Sequence, residues 1–340
     1  MRKTKLAVCA AVLGLVAAGL AAPAYAVVPP PSDGRAIPGP IYGVTIDDLN
    51  NATVANIITQ QATLPYQPTT RVYFDRNQNP SYYAGTVPQL RAGSYIMGEL
   101  LDSSDFNSIS VSAYTTKVNA YLDQIGGNVD LWEVGNEVNG NWLGSYTSVQ
   151  SKITAAFDAV EGRGGKTALT LYENTFAPNN CGDGTGELTP VQFTNQYVPA
   201  RMKTGLEYVL LSFYPDNCQG AMPSASVVAT EVANVHALYP NAKIGFAEIG
   251  TPSPVTTATY DHAKTIMNWA YGMTGQNTSY YIGGNFWWNA QEDAYQSPRL
   301  MLNDLKAAFT LEHNALTAAS PSPTPTPTPT PTPSPTPTTC

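Results

Sequence analysis

Glutamate residues follow two short apolar stretches of the sequence, at points where a buried strand could end. The first stretch is WEVGNE at residues 132–137, and the second is FAE at residues 246–248. When two carboxyl groups face one another, one can donate a proton while the other acts as a nucleophile or base. The pattern therefore indicates carboxylate chemistry by Glu137 and Glu248, provided that the fold brings them together.

Other common catalytic groups do not occur where they could act. None of the three histidines is at a strand end, because His236 and His262 fall on predicted helices and His313 lies just after the last one. This argues against a Ser-His-Asp or Cys-His arrangement and against a zinc site built on histidine. The sequence has no Cys-x-x-Cys pair and no G-x-x-x-x-G-K-[ST] phosphate loop. It therefore implies no metal or organic cofactor.

Short apolar stretches alternate with helix-like segments through the body of the chain. The predicted strands cover residues 41–45, 71–74, 94–100, 129–135, 168–172, 208–213, 243–247 and 281–287. The predicted helices cover residues 111–125, 145–161, 190–202, 225–238, 259–271 and 298–311, with a weaker one at 87–92. Eight such repeats predict an α/β fold, a closed (β/α)8 or TIM barrel. An open doubly wound sheet is the alternative, but no G-x-G-x-x-G motif follows the first strand.

The barrel fold places functional groups at the carboxyl ends of the strands. Glu137 follows the fourth strand and Glu248 the seventh, so both should stand at one mouth. Glu133 lies four residues before Glu137 and therefore deeper, and we expect it to be buried and ion-paired. Three further loop acids are as consistent with ordinary solvated residues as with functional ones: Glu173, Glu292 and Asp293.

The dipeptide Asn136-Glu137 after strand four, together with Glu248 after strand seven, resembles the retaining glycoside hydrolases of clan A. That superfamily holds cellulases, mannanases, galactanases and β-1,3-glucanases on (β/α)8 barrels. The resemblance covers about residues 38–313. Many clan members have a histidine near strand six, and this sequence has none there, so no single family is indicated.

The resemblance implies a role for each matching residue. Glu137 would be the general acid/base, Asn136 would hydrogen bond the sugar 2-hydroxyl, and Glu248 would be the nucleophile. Arg71 matches a strand-two arginine that keeps the nucleophile ionised. Tyr214 matches a strand-six tyrosine that hydrogen bonds the nucleophile.

The resemblance also implies that tryptophan side chains stack against the sugar rings. Trp287 or Trp288 matches the strand-eight tryptophan under the sugar site. Because adjacent residues of a strand point to opposite faces, one of the two should lie in the core, and Trp288 is favoured for the mouth. Trp142, just after Glu137, could line a neighbouring sugar site.

The composition limits the class of partner. The chain has 340 residues, of which 43% are hydrophobic and only 12% are charged, about half the usual share. Its formal net charge is −8, and no run of Lys or Arg is present, so nucleic acid is excluded as a partner. A neutral polar surface suits neutral, hydroxyl-rich ligands.

The first 26 residues are typical of a secretory signal peptide. Arg2, Lys3 and Lys5 precede an apolar stretch at 6–22 and an Ala-Tyr-Ala cleavage site. A membrane anchor is the alternative, but the apolar stretch is shorter than the ~20 residues needed to span a bilayer. We expect a secreted, extracellular protein with no membrane contact after cleavage. In that oxidising setting Cys181 and Cys218 are a disulfide candidate.

Residues 318–340 are rich in Pro, Thr and Ser, a composition typical of a disordered, semi-rigid linker. The chain ends at Cys340, and we expect a further module to follow, in this setting a carbohydrate-binding one. The predicted organisation is thus a signal peptide at 1–26, a catalytic barrel at 27–317 and a linker at 318–340.

The function expected from the sequence is that of a secreted, monomeric, retaining β-glycoside hydrolase. Its substrate would be a polysaccharide such as β-glucan, cellulose or β-mannan, cleaved by double displacement. A non-catalytic carbohydrate-binding barrel, a transglycosylase and a structural cell-surface protein are the alternatives.

Overall fold

The computed structural model describes residues 34–176, 181, 186–273, 276 and 278–317. In this part of the chain eight parallel strands form one closed barrel in sequence order, which confirms the predicted (β/α)8 fold. The signal peptide at 1–26 and the linker at 318–340 lie outside the described residues.

The strands and helices alternate as the sequence predicts. The strands are β1 Ile41–Ile46, β2 Thr69–Tyr73, β3 Tyr95–Glu99, β4 Leu131–Gly135, β5 Thr167–Tyr172, β6 Tyr208–Phe213, β7 Lys243–Gly250 and β8 Gly283–Trp288. The helices in the described ranges are α1 Val54–Gln61, α2 Pro80–Tyr83, α3 Val87–Arg91, α4 Val111–Ile125, α5 Tyr146–Glu161, α6 Pro190–Tyr197, α7 Ala200–Gly205, α8 Ala225–Leu238, α9 Tyr260–Tyr271 and α10 Leu302–Thr317. None of these helices is long and apolar enough to cross a bilayer.

Two predicted helices differ from the structure. The single helix predicted over 190–202 is divided into α6 and α7, because Pro199 has no backbone N–H to donate and instead caps α7. The helix predicted over 298–311 begins four residues later, since Arg299 has a left-handed backbone with φ of 56° that no α-helix accepts. It then continues to Thr317.

Apolar side chains fill the barrel in two layers. Inside the barrel, residues such as Met97, Leu131 and Phe286 close its lower part. Outside, alternate strand residues such as Val134 and Leu171 pack against the surrounding helices. The inward-facing strand positions nearest the mouth are occupied by polar and charged side chains instead.

Strand β4, which precedes Glu137, and strand β7, which contains Glu248, each have a register irregularity with a neighbouring strand. Across β4 and β5, Val134 is the extra residue between two paired positions. Across β6 and β7, Ala247 is the extra residue, so that Ser212 pairs with Glu248. An extra residue reverses the inward and outward alternation beyond it and thereby reorients the following side chains.

Candidate active site

A cavity of about 660 Å³ opens at the carboxyl ends of the strands and contains both glutamates. Carboxylate, amide and aromatic side chains dominate its lining. The lining residues are Asp102, Glu137, Asn141, Trp142, Tyr172, Glu187, Tyr214, Asn217, Glu248, Pro252 and Trp288. The structure thus brings together at one mouth the residues that the sequence placed after strands four and seven.

Glu137 lies two residues beyond β4 and is almost fully buried. Its backbone has a positive φ of 48°, a left-handed conformation that is uncommon for a residue other than glycine. Each carboxylate oxygen accepts a hydroxyl hydrogen bond, Oε2 from Ser103 at 2.7 Å and Oε1 from Ser212 at 2.6 Å. Burial and the nearby charge of Glu248 raise the pKa of Glu137 to about 8, although the two serines oppose that rise. The carboxyl group is therefore suited to hold a proton near neutral pH.

Glu248 has a very different set of neighbours. Its Oε1 forms an ion pair with Nη1 of Arg71 at 2.8 Å and accepts a hydrogen bond from Nδ2 of Asn136 at 3.0 Å. Its Oε2 accepts a hydrogen bond from the Tyr214 hydroxyl at 2.7 Å. Burial raises the pKa of Glu248, while Arg71 and Tyr214 act in the opposite direction. The guanidinium and the two hydrogen-bond donors thus oppose the effect of burial and stabilise the ionised form that a nucleophile requires.

These surroundings therefore suit Glu137 to act as an acid and Glu248 to act as an anion. Glu137 has hydroxyl neighbours that accommodate a neutral carboxyl group, whereas Glu248 faces a guanidinium. Two titratable groups whose neighbours push their pKa values apart are typical of an acid and a nucleophile that work together.

Arg71 lies fully buried beneath the cavity and faces three carboxylates. Nε of Arg71 contacts Glu133 at 2.6 Å and Nη2 contacts Glu99 at 3.1 Å, in addition to Glu248. Glu133 is thus buried and ion-paired below the cavity, as the sequence predicts. Burial raises the pKa of Glu99 well above its usual value despite the opposing charge of Arg71.

Both polar atoms of the Asn136 side chain form hydrogen bonds within the protein. Its Oδ1 accepts a hydrogen bond from the backbone N–H of Ser103, and its Nδ2 donates to Glu248. One amide hydrogen remains for a ligand, which is compatible with the proposed contact to a sugar 2-hydroxyl.

The tryptophans separate as strand alternation requires. Trp288 and Trp142 line the cavity, and Trp142 is held edge-to-face by Tyr172 with ring centroids 5.3 Å apart. Trp287 is completely buried behind the barrel wall and donates from Nε1 to Asp293 at 2.8 Å. The placement of Trp287 as a candidate substrate-binding residue is therefore wrong, because its side chain points outward into the layer under the helices.

Two of the three loop acids are not solvated. Glu173 is fully buried and accepts a hydrogen bond from the backbone N–H of Thr175. Asp293 is also buried, and its carboxylate accepts hydrogen bonds from Trp287 and from the backbone N–H of Val255. Burial raises the pKa of Glu173 to about 8 and that of Asp293 to about 6. Only Glu292 is exposed. Glu173 lies near Glu231 of α8 and Asp293 contacts Val255, and such proximity between distant segments is not visible in local sequence.

Several residues in or next to the cavity carry no obvious signal in the sequence. Ser212 lies two residues before Tyr214, so strand periodicity could have placed it on the same inward face. Ser103, Tyr172 and Asn217 stand in loops or at a strand end, and no spacing marks them. Among the described residues, no group of three or more His, Cys, Asp or Glu side chains could hold a metal ion.

The predicted disulfide between Cys181 and Cys218 is present. Cys181 belongs to the loop after β5 and Cys218 to the short helical turn after β6. The bond joins two neighbouring loops near the mouth, adjacent to the cavity residues Tyr214 and Asn217.

Comparison with known proteins gives structural similarity without sequence similarity. No protein-family profile matches the chain, and no curated protein matches it significantly. Among solved structures, GH5_18 from Streptomyces cattleya in complex with GlcNAc is 14% identical over 86% of this chain and 83% of its own, with a TM-score of 0.53. A GH5-4 broad-specificity endoglucanase from an uncultured bacterium is 13% identical over 79% of this chain and 94% of its own, with a TM-score of 0.50.

The chain shares the closed (β/α)8 barrel fold of these structures. Gas2p from Saccharomyces cerevisiae, in complex with laminaripentaose, is a third similar structure, 14% identical with a TM-score of 0.50. The match covers 79% of this chain but only 64% of Gas2p. At these identities the similarity concerns the fold, and the chemistry has to be argued from the cavity.

Proposed function

We propose that this protein is a retaining β-glycoside hydrolase that cleaves a neutral polysaccharide. The observation that carries the proposal is the asymmetry of the two buried carboxyl groups in one cavity. Glu137 is held by two hydroxyls, and Glu248 is held by a guanidinium, a phenol and an amide. These are the environments that a general acid/base and a nucleophile need, respectively.

The reaction would proceed in two displacements. In the first, Glu248 attacks the anomeric carbon while Glu137 passes its proton to the leaving glycosidic oxygen. In the second, Glu137 accepts a proton from water, whose oxygen attacks the anomeric carbon and releases Glu248. Arg71 and Tyr214 would hold Glu248 in place through both steps.

The cavity favours an uncharged substrate. Its described lining has no Lys or Arg, whereas Asp102 and Glu187 add carboxylates to those of the catalytic pair. An anionic sugar would therefore be repelled, while Trp142 and Trp288 offer aromatic faces on which neutral sugar rings can stack. The endoglucanase and laminaripentaose named for the similar structures make β-glucan the first substrate to test, followed by β-mannan.

We further propose that the enzyme is secreted. The signal-like residues 1–26 and the Pro/Thr/Ser-rich segment 318–340 support this, because exported polysaccharide-degrading enzymes benefit from a spacer to a second binding module. Mass spectrometry of the protein from culture medium would test it, with a mature N-terminus at Val27 expected.

Incubation with a substrate panel tests the activity. The panel contains β-1,3-glucan, cellulose, β-mannan, xylan and galactan, with polygalacturonate as the anionic control, and product sizes are measured. We expect new reducing ends from at least one neutral polymer and none from polygalacturonate. Products longer than the substrate would identify a transglycosylase instead. Binding to a polymer without any product would favour the non-catalytic carbohydrate-binding alternative.

A further inference from the structure

Two buried serine hydroxyls are the only side-chain hydrogen-bond partners that the structure assigns to Glu137 within the described ranges. Ser103 donates to Oε2 at 2.7 Å, and Ser212 donates to Oε1 at 2.6 Å. Both serines are buried, with 5% and 0% of their surface exposed. Each oxygen of this carboxyl group therefore has one hydroxyl partner of its own.

A hydroxyl differs from a cation in one respect that matters here. It can donate to a carboxylate and can also accept from a protonated carboxyl group, whereas a guanidinium or ammonium only donates. A cationic partner would therefore favour the ionised form of Glu137, as Arg71 does for Glu248. A pair of hydroxyls fits both protonation states through a rotation about the Cβ–Oγ bonds.

We propose that Ser103 and Ser212 are positioning residues that hold the Glu137 carboxyl group in both its acid and its base form. This rests on the proposed function, in which Glu137 loses its proton to the glycosidic oxygen as the sugar–oxygen bond breaks and Glu248 bonds to the anomeric carbon. Glu137 then regains a proton from the water that displaces Glu248. Between the two steps both serines donate to the carboxylate. When Glu137 is protonated, either serine Oγ can accept a hydrogen bond from the carboxyl group or rotate away from it. The proton then remains available to the substrate.

The backbone fixes both serines relative to the two carboxyl groups. Ser103 follows β3, and its N–H is held by Oδ1 of Asn136, whose Nδ2 in turn donates to Glu248. Ser212 lies in β6 at the position paired with Glu248 across the irregularity in β7. The serines thus approach Glu137 from different strands, and each is tied to the element or side chain that holds the nucleophile.

Removal of either serine hydroxyl should destabilise the ionised base form of Glu137 more than its protonated acid form. The carboxylate loses a charge-assisted hydrogen bond, while the neutral carboxyl group loses a weaker one. For Ser103→Ala and Ser212→Ala we expect the alkaline limb of kcat/KM to move to higher pH. We expect the second displacement, measured as kcat on an aryl glycoside with an acidic phenol, to slow about 10-fold or more.

Matched variants separate positioning from general damage. Ser212→Thr keeps a hydroxyl and should restore the pH profile of the native enzyme. Thr170→Val removes the hydroxyl that donates to Glu133, a buried carboxylate below the cavity, and should leave the alkaline limb in place. An unmoved alkaline limb in both serine variants, or an equal movement in Thr170→Val, would overturn the proposal.

A measurement without substrate keeps the inference separate from the proposed function. The pKa of Glu137 can be followed by carbon NMR of the labelled carboxyl group, assigned with Glu137→Gln. It should rise in each serine variant and rise further in the double variant. If no glycoside is hydrolysed but these shifts occur, the glycosidase proposal fails and the positioning effect stands. If the pKa of Glu137 does not change, the serine proposal fails whatever the activity.

Discussion

The side-chain amide of Asn136 donates a hydrogen bond of 3.0 Å to Oε1 of Glu248, 112 residues further along the chain. Asn136 directly precedes Glu137, so this one bond ties the end of β4, and with it the proposed acid/base, to the nucleophile on β7. Because Oδ1 of Asn136 is occupied by the N–H of Ser103, the amide cannot rotate freely. The relative positions of the two carboxyl groups are therefore set before substrate enters, which favours catalysis.

Replacement of each of the two glutamates should impair a different step of the reaction. Glu248→Ala removes the group that forms the glycosyl-enzyme, so activity on every substrate should fall by several orders of magnitude. Glu137→Ala removes protonation of the leaving oxygen, which substrates with acidic phenol leaving groups hardly need. For those substrates the first step should survive while the glycosyl-enzyme accumulates, and this can be measured as a burst of phenol.

Azide provides the control for the roles of the two glutamates. It should replace water in the Glu137 variant and yield a β-configured glycosyl azide, and no such product should form in the Glu248→Ala variant. Proton NMR of the first product from the native enzyme should show the β anomer. Early α product, or equal losses in both variants, would contradict the assignment.

The activity should follow a bell-shaped pH profile with an alkaline limb near pH 8. Glu137 has to be protonated for the first step, and its pKa of about 8 means that activity falls as pH rises through that value. Glu248 has to be ionised, and activity falls as pH drops through its raised pKa. Measurement of kcat/KM against pH reports these groups in the free enzyme. An alkaline limb near pH 5 would contradict the raised pKa of Glu137.

The neighbouring tryptophans of β8 should respond in opposite ways. Trp288→Ala should raise KM or lower kcat/KM about 10-fold or more through loss of sugar stacking, with a small change in stability. Trp287→Ala should destabilise the fold by about 3–5 kcal/mol, since it leaves a large cavity and removes the partner of Asp293. Urea unfolding and kinetics on both variants measure the contrast. A stability loss confined to Trp288→Ala would reverse the placement of the two side chains.

Glu173 should make the protein less stable as the pH rises. Its pKa is raised by burial and by the charge of Glu231, from an ordinary value of 4.5 to about 8. The folded state therefore favours the protonated form, and this contribution to stability is present at low pH and lost as pH rises through about 8. Glu173→Gln keeps an oxygen that can accept from Thr175 and carries no charge.

We expect Glu173→Gln to be more stable than the native protein by roughly 1–3 kcal/mol at pH 8 and little different at pH 4. Denaturant unfolding at the two pH values tests this. The matched control is Glu292→Gln, because Glu292 is an exposed glutamate in the segment after β8. An equal effect in both variants would show that net charge, and not burial of Glu173, is responsible.

Local sequence determined the barrel and the order of its strands. Eight apolar stretches with period-two side chains, separated by segments of helical periodicity, leave little choice of architecture, because buried parallel strands require helices between them. The same patterning placed Glu137 and Glu248 at one mouth and Glu133 below it. It also placed Trp287 and Trp288 on opposite faces, although only the structure decided which of the two faces the cavity.

The tertiary structure alone decided how the site works. The extra residues at Val134 and Ala247 reorient the side chains that follow, and such irregularities depend on pairing with a neighbouring strand rather than on the strand's own sequence. Burial of Glu173, and the contacts of Ser103 and Ser212 with Glu137, likewise arise between segments far apart in the chain. Protonation states depend on desolvation and on charges within a few ångströms, and both are properties of the assembled mouth.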